Sequence, residues 1–290
     1  MQPTGIGVVF NGVLGPVLQG HPDCVDFLSV IPERFWMDLG GDAAPRFVPL
    51  ADDTATLDRL AVRYPLVAHG IGLSIASGAT FDIAHVDQLA AWDRRYGFRW
   101  VSEHLSAVRV QTEVSPDHHA GLALPIPWDE DVLDLLVERV QHVQHRLGSR
   151  LLLENGVVHT PVPDCDMSEV EFLNRLCSRS GCAVLLDLHN LYVNVVNLHV
   201  DADKFLDALE LSNVIEIHVA GGNEMSGVYL DSHAGPCPPN VWRLLETTMP
   251  RCPNLAGVTF EFHESYYPRM GEDGVLTQLD LARQIWRHYH

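Results

Sequence analysis

Residues 183–190 read AVLLDLHN, an apolar run that ends on Asp187 and passes at once to His189 and Asn190. Side chains alternate faces along a strand, so Leu185 and Asp187 share one side while Leu186 and Leu188 share the other. A buried carboxylate is destabilising unless it is paired or bound to a metal. A strand ending on one therefore predicts a partner for it, and the same ending recurs along the chain. LVAHGIGLSI (66–75) carries His69, RWVSEHLS (99–106) carries Glu103 and His104, and RLLLENG (150–156) carries Glu154 and Asn155. VIEIHVAGG (214–222) carries His218, and GVTFEFHE (257–264) carries Glu261 and His263. VDFLSVI (25–31) runs on to Glu33, the weakest member, and GIGVVF (5–10) completes the set of strand-like runs. Asp231 and His233 stand two apart in DSHAGP, on the loop after the seventh run.

Helical patterns separate these runs. Over 131–147 an apolar stripe includes Val132, Leu136, Val140 and Val143, and Gly148 stands where a C-cap belongs. Ser168 and Glu171 form a capping box ahead of Phe172, Leu173 and Leu176, with Gly181 after that helix. Further helices fit 53–64, 82–96, 202–210, 238–248 and 275–289, whereas residues 11–24, rich in Gly and Pro, predict a weak one. Strands and helices alternating without a linker predict a single (β/α)8 TIM-type barrel over residues 1–290. A doubly wound open sheet is the alternative. It would gather ligands at one switch point, and no Gly-rich phosphate fingerprint follows the first strand.

The composition narrows the function. A formal charge of −19 argues against nucleic acid as a partner, since phosphate binding needs a basic surface. No apolar run approaches the roughly 18 residues that span a bilayer, and the first residues lack a basic, then apolar, signal pattern. The expected location is the cytoplasm. The six cysteines show neither a CxxC pair nor zinc-ribbon spacing, so reduced thiols in a core are expected.

Barrels place their chemistry at the C-terminal ends of the strands, where these donors fall. If Glu261 points inward, Phe260 and Phe262 point out to the helices. Glu103 and His104 are adjacent, so only one faces the site: His104 is expected as the ligand, with Glu103 orienting it. Imidazoles and carboxylates without thiolates, with Asn155 and Asn190 as further oxygen donors, suit iron, manganese or zinc in a carboxylate-bridged cluster. The donors exceed what one ion can use. Two or three ions are expected, bridged by Glu154 or Asp187, acting as Lewis acids, redox centres or a template. His142 and His145 are expected on a solvated helix face, His118 and His119 in a loop, and His288 and His290 in the tail. His21, His85, His159 and His199 are expected at surface or supporting positions.

In combination, HGIGLS, VSEHLS, LLLENG, LLDLHNLYVN, EIHVAGG, DSHAGP and Glu261 on the last strand resemble the DUF692 family. These are the multinuclear non-heme iron-dependent oxidative enzymes, which include the methanobactin-biosynthesis oxidase. The resemblance spans about residues 5–285. It implies two or three irons, mixed Fe(II)/Fe(III), with dioxygen as co-substrate. It further implies oxidation of a side chain, cysteine foremost, in a ribosomally made precursor peptide whose leader is recognised by a companion protein. Carried over, the metal ligands are His69, His104, Glu154, Asp187, Asn190, His218, Asp231, His233 and Glu261. Glu154, Asp187, His189 and His263 are the expected catalytic set. Three departures mark a distinct subgroup: the usual DVNN reads DLHN at His189, AGH reads AGG at Gly222, and EWD reads EFH at His263. The alternatives are a divalent-metal hydrolase or isomerase of the xylose-isomerase-like class, and a metal-binding scaffold without catalysis.

Overall fold

The computed structural model describes residues 2–78, 80–111, 118–158 and 160–289. His159 and His290 lie outside the described residues.

The barrel is built from β1 (Gly5–Val9), β2 (Phe27–Val30), β5 (Leu66–Gly70), β6 (Val101–His104), β9 (Leu151–Glu154), β10 (Ala183–Asp187), β11 (Val214–Ala220) and β14 (Gly257–Glu261). These close in the order β1-β14-β11-β10-β9-β6-β5-β2, each pair parallel. Three antiparallel ribbons follow barrel strands: β3 (Trp36–Asp38) with β4 (Phe47–Pro49), β7 (Ala107–Val110) with β8 (His118–Leu124), and β12 (Asn223–Met225) with β13 (Val228–Leu230).

Around the barrel lie α1 (Leu14–Gly20), α2 (Ala51–Arg63), α3 (Ile83–Tyr96), α4 (Glu130–Leu147), α5 (Glu169–Ser180), α6 (Leu188–Leu198), α7 (Ala202–Ala208), α8 (Pro239–Thr248) and α9 (Tyr267–Tyr289). None among the described residues is long and apolar enough to cross a membrane. The expected caps form: Ser168 accepts from the Glu171 N–H, and Gly148 and Gly181 close their helices at φ 73° and 78°.

The parity read from sequence sorts the core into two layers. Phe27, Trp100, Leu152, Leu185 and Ile215 pack inside the barrel floor, and Phe27 meets Trp100 edge to face at 5.5 Å. Leu186, Leu188, Phe260 and Phe262 pack outward in the helix-facing core. The Phe27 ring fits because Gly7 lies beneath it; a Cβ there would collide with the ring edge.

Three features depart from expectation. The run 183–190 ends as a strand at Asp187 and continues directly as α6, whose polar face is cryptic because Leu188, His189, Asn190, Leu191, Val193 and Asn194 are all buried. The β3–β4 and β12–β13 ribbons have three residues per strand, too few to show a period. His118 and His119 belong to strand β8 and not to a loop.

Candidate metal centre

Register brings the strand ends level. His104 stands opposite Glu154, Asp187 opposite His218, and Ala220 opposite Glu261. Asn155 extends this order past the last strand residue. Its carboxamide accepts from the Asp187 N–H at 2.8 Å and donates to the Asp187 carbonyl at 3.0 Å, mimicking one further rung of ladder. The Asp187 side chain accepts from the Asn190 N–H at 2.7 Å, so one carboxylate both caps α6 and faces the barrel mouth.

Three groups of donors lie within 4.8 Å: His69, His104 and Glu154; His69, His218 and Glu261; Glu154, Asp187 and His218. They overlap, with His69, Glu154 and His218 each in two groups, so the arrangement suits neighbouring ions sharing ligands. Asn190 joins through Nδ2, which donates to Glu154 Oε1 at 3.0 Å. Asp231 and His233 close the ring from their loop, with His233 Nε2 at 3.1 Å from Asp231 Oδ1 and 3.4 Å from Glu261 Oε2. Every residue carried over as a ligand thus falls in one contiguous set.

Hydrogen bonding tests whether this set fits a cation. The Ser102 hydroxyl donates to the Ala68 carbonyl at 3.2 Å, so it accepts from His69 Nδ1 at 3.0 Å. His69 therefore carries its proton on Nδ1 and presents a bare lone pair at Nε2. That lone pair stands 3.1 Å from His104 Nε2 and 3.5 Å from Glu154 Oε2. Glu154 Oε2, Asp187 Oδ2, Asn190 Oδ1 and both ring nitrogens of His218 are buried without a hydrogen-bond partner. The His218 nitrogens lie 3.2 Å from Glu216 and Glu261 oxygens, close enough for attraction but outside hydrogen-bond geometry. Buried ring nitrogens and carboxylate oxygens that converge without hydrogen-bond partners are what bound cations satisfy. The residues fit a metal.

The electrostatics agree. Burial pulls His69 down to about 4, aided by neighbouring His104 and His218 against the pull of Glu154. Burial opposes charge on His104 too, yet Glu154 outweighs it and lifts the imidazole to about 9. Asp231 and Glu261 likewise overcome burial to raise His233 to about 10. Asp187 is pushed well above the carboxylate range by burial, Glu154 and Asp231. Opposed shifts of this kind come from carboxylates and imidazoles packed together out of water, as at functional sites and in buried ion-pair networks.

Some positions fall elsewhere. His189 gives Nδ1 to Asp231 Oδ1 at 2.9 Å and turns Nε2 to the Tyr229 hydroxyl at 3.4 Å, so both ring nitrogens are engaged by protein oxygens. It aligns Asp231. His263 is exposed; its Nδ1 accepts from the Ser265 N–H at 3.2 Å and caps the short turn at 264–266. Glu103 does not reach the His104 ring. The pleat sets it on the opposite side of β6, against Gly70, where it accepts from the backbone N–H groups of His104 and Leu73. Glu33 bonds His85 and the backbone of Ile71 and Gly72, bracing the loop after His69.

Sequence reasoning missed Glu216. It is fully buried beneath His218, held by Trp100 Nε1–H at 2.7 Å and the Thr259 hydroxyl at 2.6 Å. Its place two residues before His218 on one strand face was the available signal.

The cluster opens on a cleft of about 210 Å³. His104, Glu154, Asp231 and His233 form one wall, and Ile126 and Trp128 lie on the other. Fold and site together define a TIM barrel whose mouth gathers donor groups that could hold metal ions. The family model described as RiPP precursor modification enzyme MbnB/TglH/ChrH matches residues 4–285, and the chain belongs to that family. A UPF0276 protein of Chromobacterium violaceum is 36% identical over 240 residues, covering 83% of this chain and 84% of that one. A UPF0276 protein of Neisseria meningitidis serogroup B is 31% identical over 252 residues, covering 86% and 83%.

Among solved structures, D-psicose 3-epimerase from Clostridium cellulolyticum superposes with a TM-score of 0.61 at 11% identity, covering 98% of each chain. The IOLI protein with a bound zinc atom gives 0.61 at 14% identity, covering 98% and 99%. Endonuclease IV from Thermus thermophilus gives 0.56 at 16% identity, covering 98% of each. These likenesses show the xylose-isomerase-like barrel fold.

Proposed function

We propose that this chain is a multinuclear iron, dioxygen-dependent oxidative enzyme that modifies a side chain, cysteine foremost, of a ribosomally made precursor peptide. It acts as one barrel domain in the cytoplasm, with a companion protein presenting the leader. The observation that carries the reading is the overlap of three donor groups whose buried lone pairs lack protein partners. Family membership supplies the peptide substrate class.

His69, His104, Glu154, Asp187, Asn190, His218, Asp231, His233 and Glu261 would hold two or three ions. Bound iron would supply one-electron chemistry toward dioxygen and the substrate. The rest belongs to the chain. Ile126 and Trp128 in the cleft wall exclude water from an inserted side chain. His189 fixes Asp231 and hence His233, which lines the cleft within reach of a substrate proton.

The test is anaerobic purification with ferrous iron, metal counting, and incubation with the precursor peptide and its companion. Dioxygen uptake with a mass change confined to the core peptide is expected. Turnover with zinc or manganese and without dioxygen would overturn the reading in favour of the hydrolytic or isomerising class.

A further inference from the structure

The donor cluster is reached from two sides. Besides the main cleft, a second cavity of about 80 Å³ meets His69, His104, His233 and Glu261. His104, His233 and Glu261 line both spaces. The remaining walls differ in character. Val9, Ile31 and Phe262 are buried and apolar, while Ile71, Arg34 and His263 are exposed and mark the outer opening.

The charged groups at that opening are already engaged, while Asn11 keeps a buried Oδ1 without a hydrogen-bond partner. Arg34 pairs with Glu264 at 2.9 Å, and His263 Nδ1 is held by Ser265. Asn11 is fastened to the Phe262 carbonyl through Nδ2 at 3.4 Å. The passage therefore offers no free cation to capture an anion, and its size admits a diatomic gas or a few waters but no peptide segment.

We propose that this second cavity is the access route for dioxygen, so that the gas reaches the donor cluster while the peptide fills the main cleft. The inference rests on the oxidative reading above. It assigns a role to the face that carries His263: capping the 264–266 turn holds the passage open beside Phe262.

Xenon, an apolar probe of similar size, tests the site without turnover. Crystals pressurised with xenon should show it between Val9, Ile31, Ile71 and Phe262; xenon bound elsewhere but absent there overturns the proposal. In steady state, Ile71→Phe should raise the KM for dioxygen severalfold while leaving metal content and the KM for peptide unchanged. Leu122→Phe, in the main cleft, should do the reverse. An Ile71→Phe protein with altered peptide KM and unaltered dioxygen KM refutes the assignment while leaving the oxidative function standing. A metal-loaded wild type that consumes no dioxygen refutes both.

Discussion

Glu216→Gln removes one charge and almost no volume from beneath His218. In the native chain Oε2 accepts the Trp100 indole N–H at 2.7 Å and Oε1 the Thr259 hydroxyl at 2.6 Å, all without solvent exposure. A carboxamide has a single acceptor oxygen; with that oxygen turned to Trp100, its NH2 group faces the Thr259 hydroxyl, which can accept from it but loses Glu216 as the acceptor for its own O–H. An unpaired buried donor costs about 1–3 kcal/mol, and the surviving bond loses about 1 kcal/mol on becoming neutral. The sum, about 2–4 kcal/mol, should appear in urea titrations of the metal-free protein followed by circular dichroism. It corresponds to a fall in Tm of roughly 3–7 °C for a chain of this size. Trp100→Phe deletes one of the donors, so the double variant should lose at least about 1 kcal/mol less than the two single changes added together. Because Glu216 also stands 3.2 Å from His218 Nε2, metal affinity should drop about 10–100-fold. A Glu216→Gln protein within about 0.5 kcal/mol of wild type, additive with Trp100→Phe and unaltered in metal affinity, would refute the view that Glu216 organises the site.

Asn155→Ala should destabilise by about 1–3 kcal/mol, because it leaves the Asp187 N–H without its partner in the interior; chemical denaturation reads this directly. Gly222→Ala should cost about 1–3 kcal/mol, since its Cβ would collide with the Leu230 carbonyl; faster amide exchange over 223–230 is the expected signature, and unchanged protection would count against it. The buried Glu33–His85 pair makes stability pH-dependent. Burial disfavours both charges, but each partner overrides it, so Glu33 sits below its ordinary 4.5 and His85 above its ordinary 6.5. The carboxylate's contribution is complete above pH 4.5 and is lost as pH falls through its lowered value; the imidazolium's is complete below pH 6.5 and is lost as pH rises through its raised value. The stability difference between wild type and His85→Gln should therefore peak between those two pH values, and a flat difference profile would show that the pair carries no linkage.

The barrel and most of the site were legible because both depend on a period of two. Asp187 and Leu185 share a face by arithmetic, and once the barrel closes every strand end must converge. What stayed hidden was decided by neighbours distant in sequence. Whether His189 is a ligand turns on Asp231 and Tyr229, which approach from a ribbon too short to announce itself. Glu103 offered the same donor chemistry as Glu154, and only its contact with Gly70 shows that it faces away. His263 matched the parity rule but lies just past the end of β14, where the chain has already turned and alternation no longer holds.

The direct passage from β10 into α6 through Asp187 has an implication for engineering. No residue separates strand from helix, so a single insertion there would rotate His189 and Asn190 by about 100° relative to the donors around Asp187. The β3–β4 and β7–β8 ribbons, which carry none of these donors, have no such constraint on their length. Grafting onto or lengthening one of these ribbons should therefore retune what the protein grips while the donor cluster underneath stays as it is.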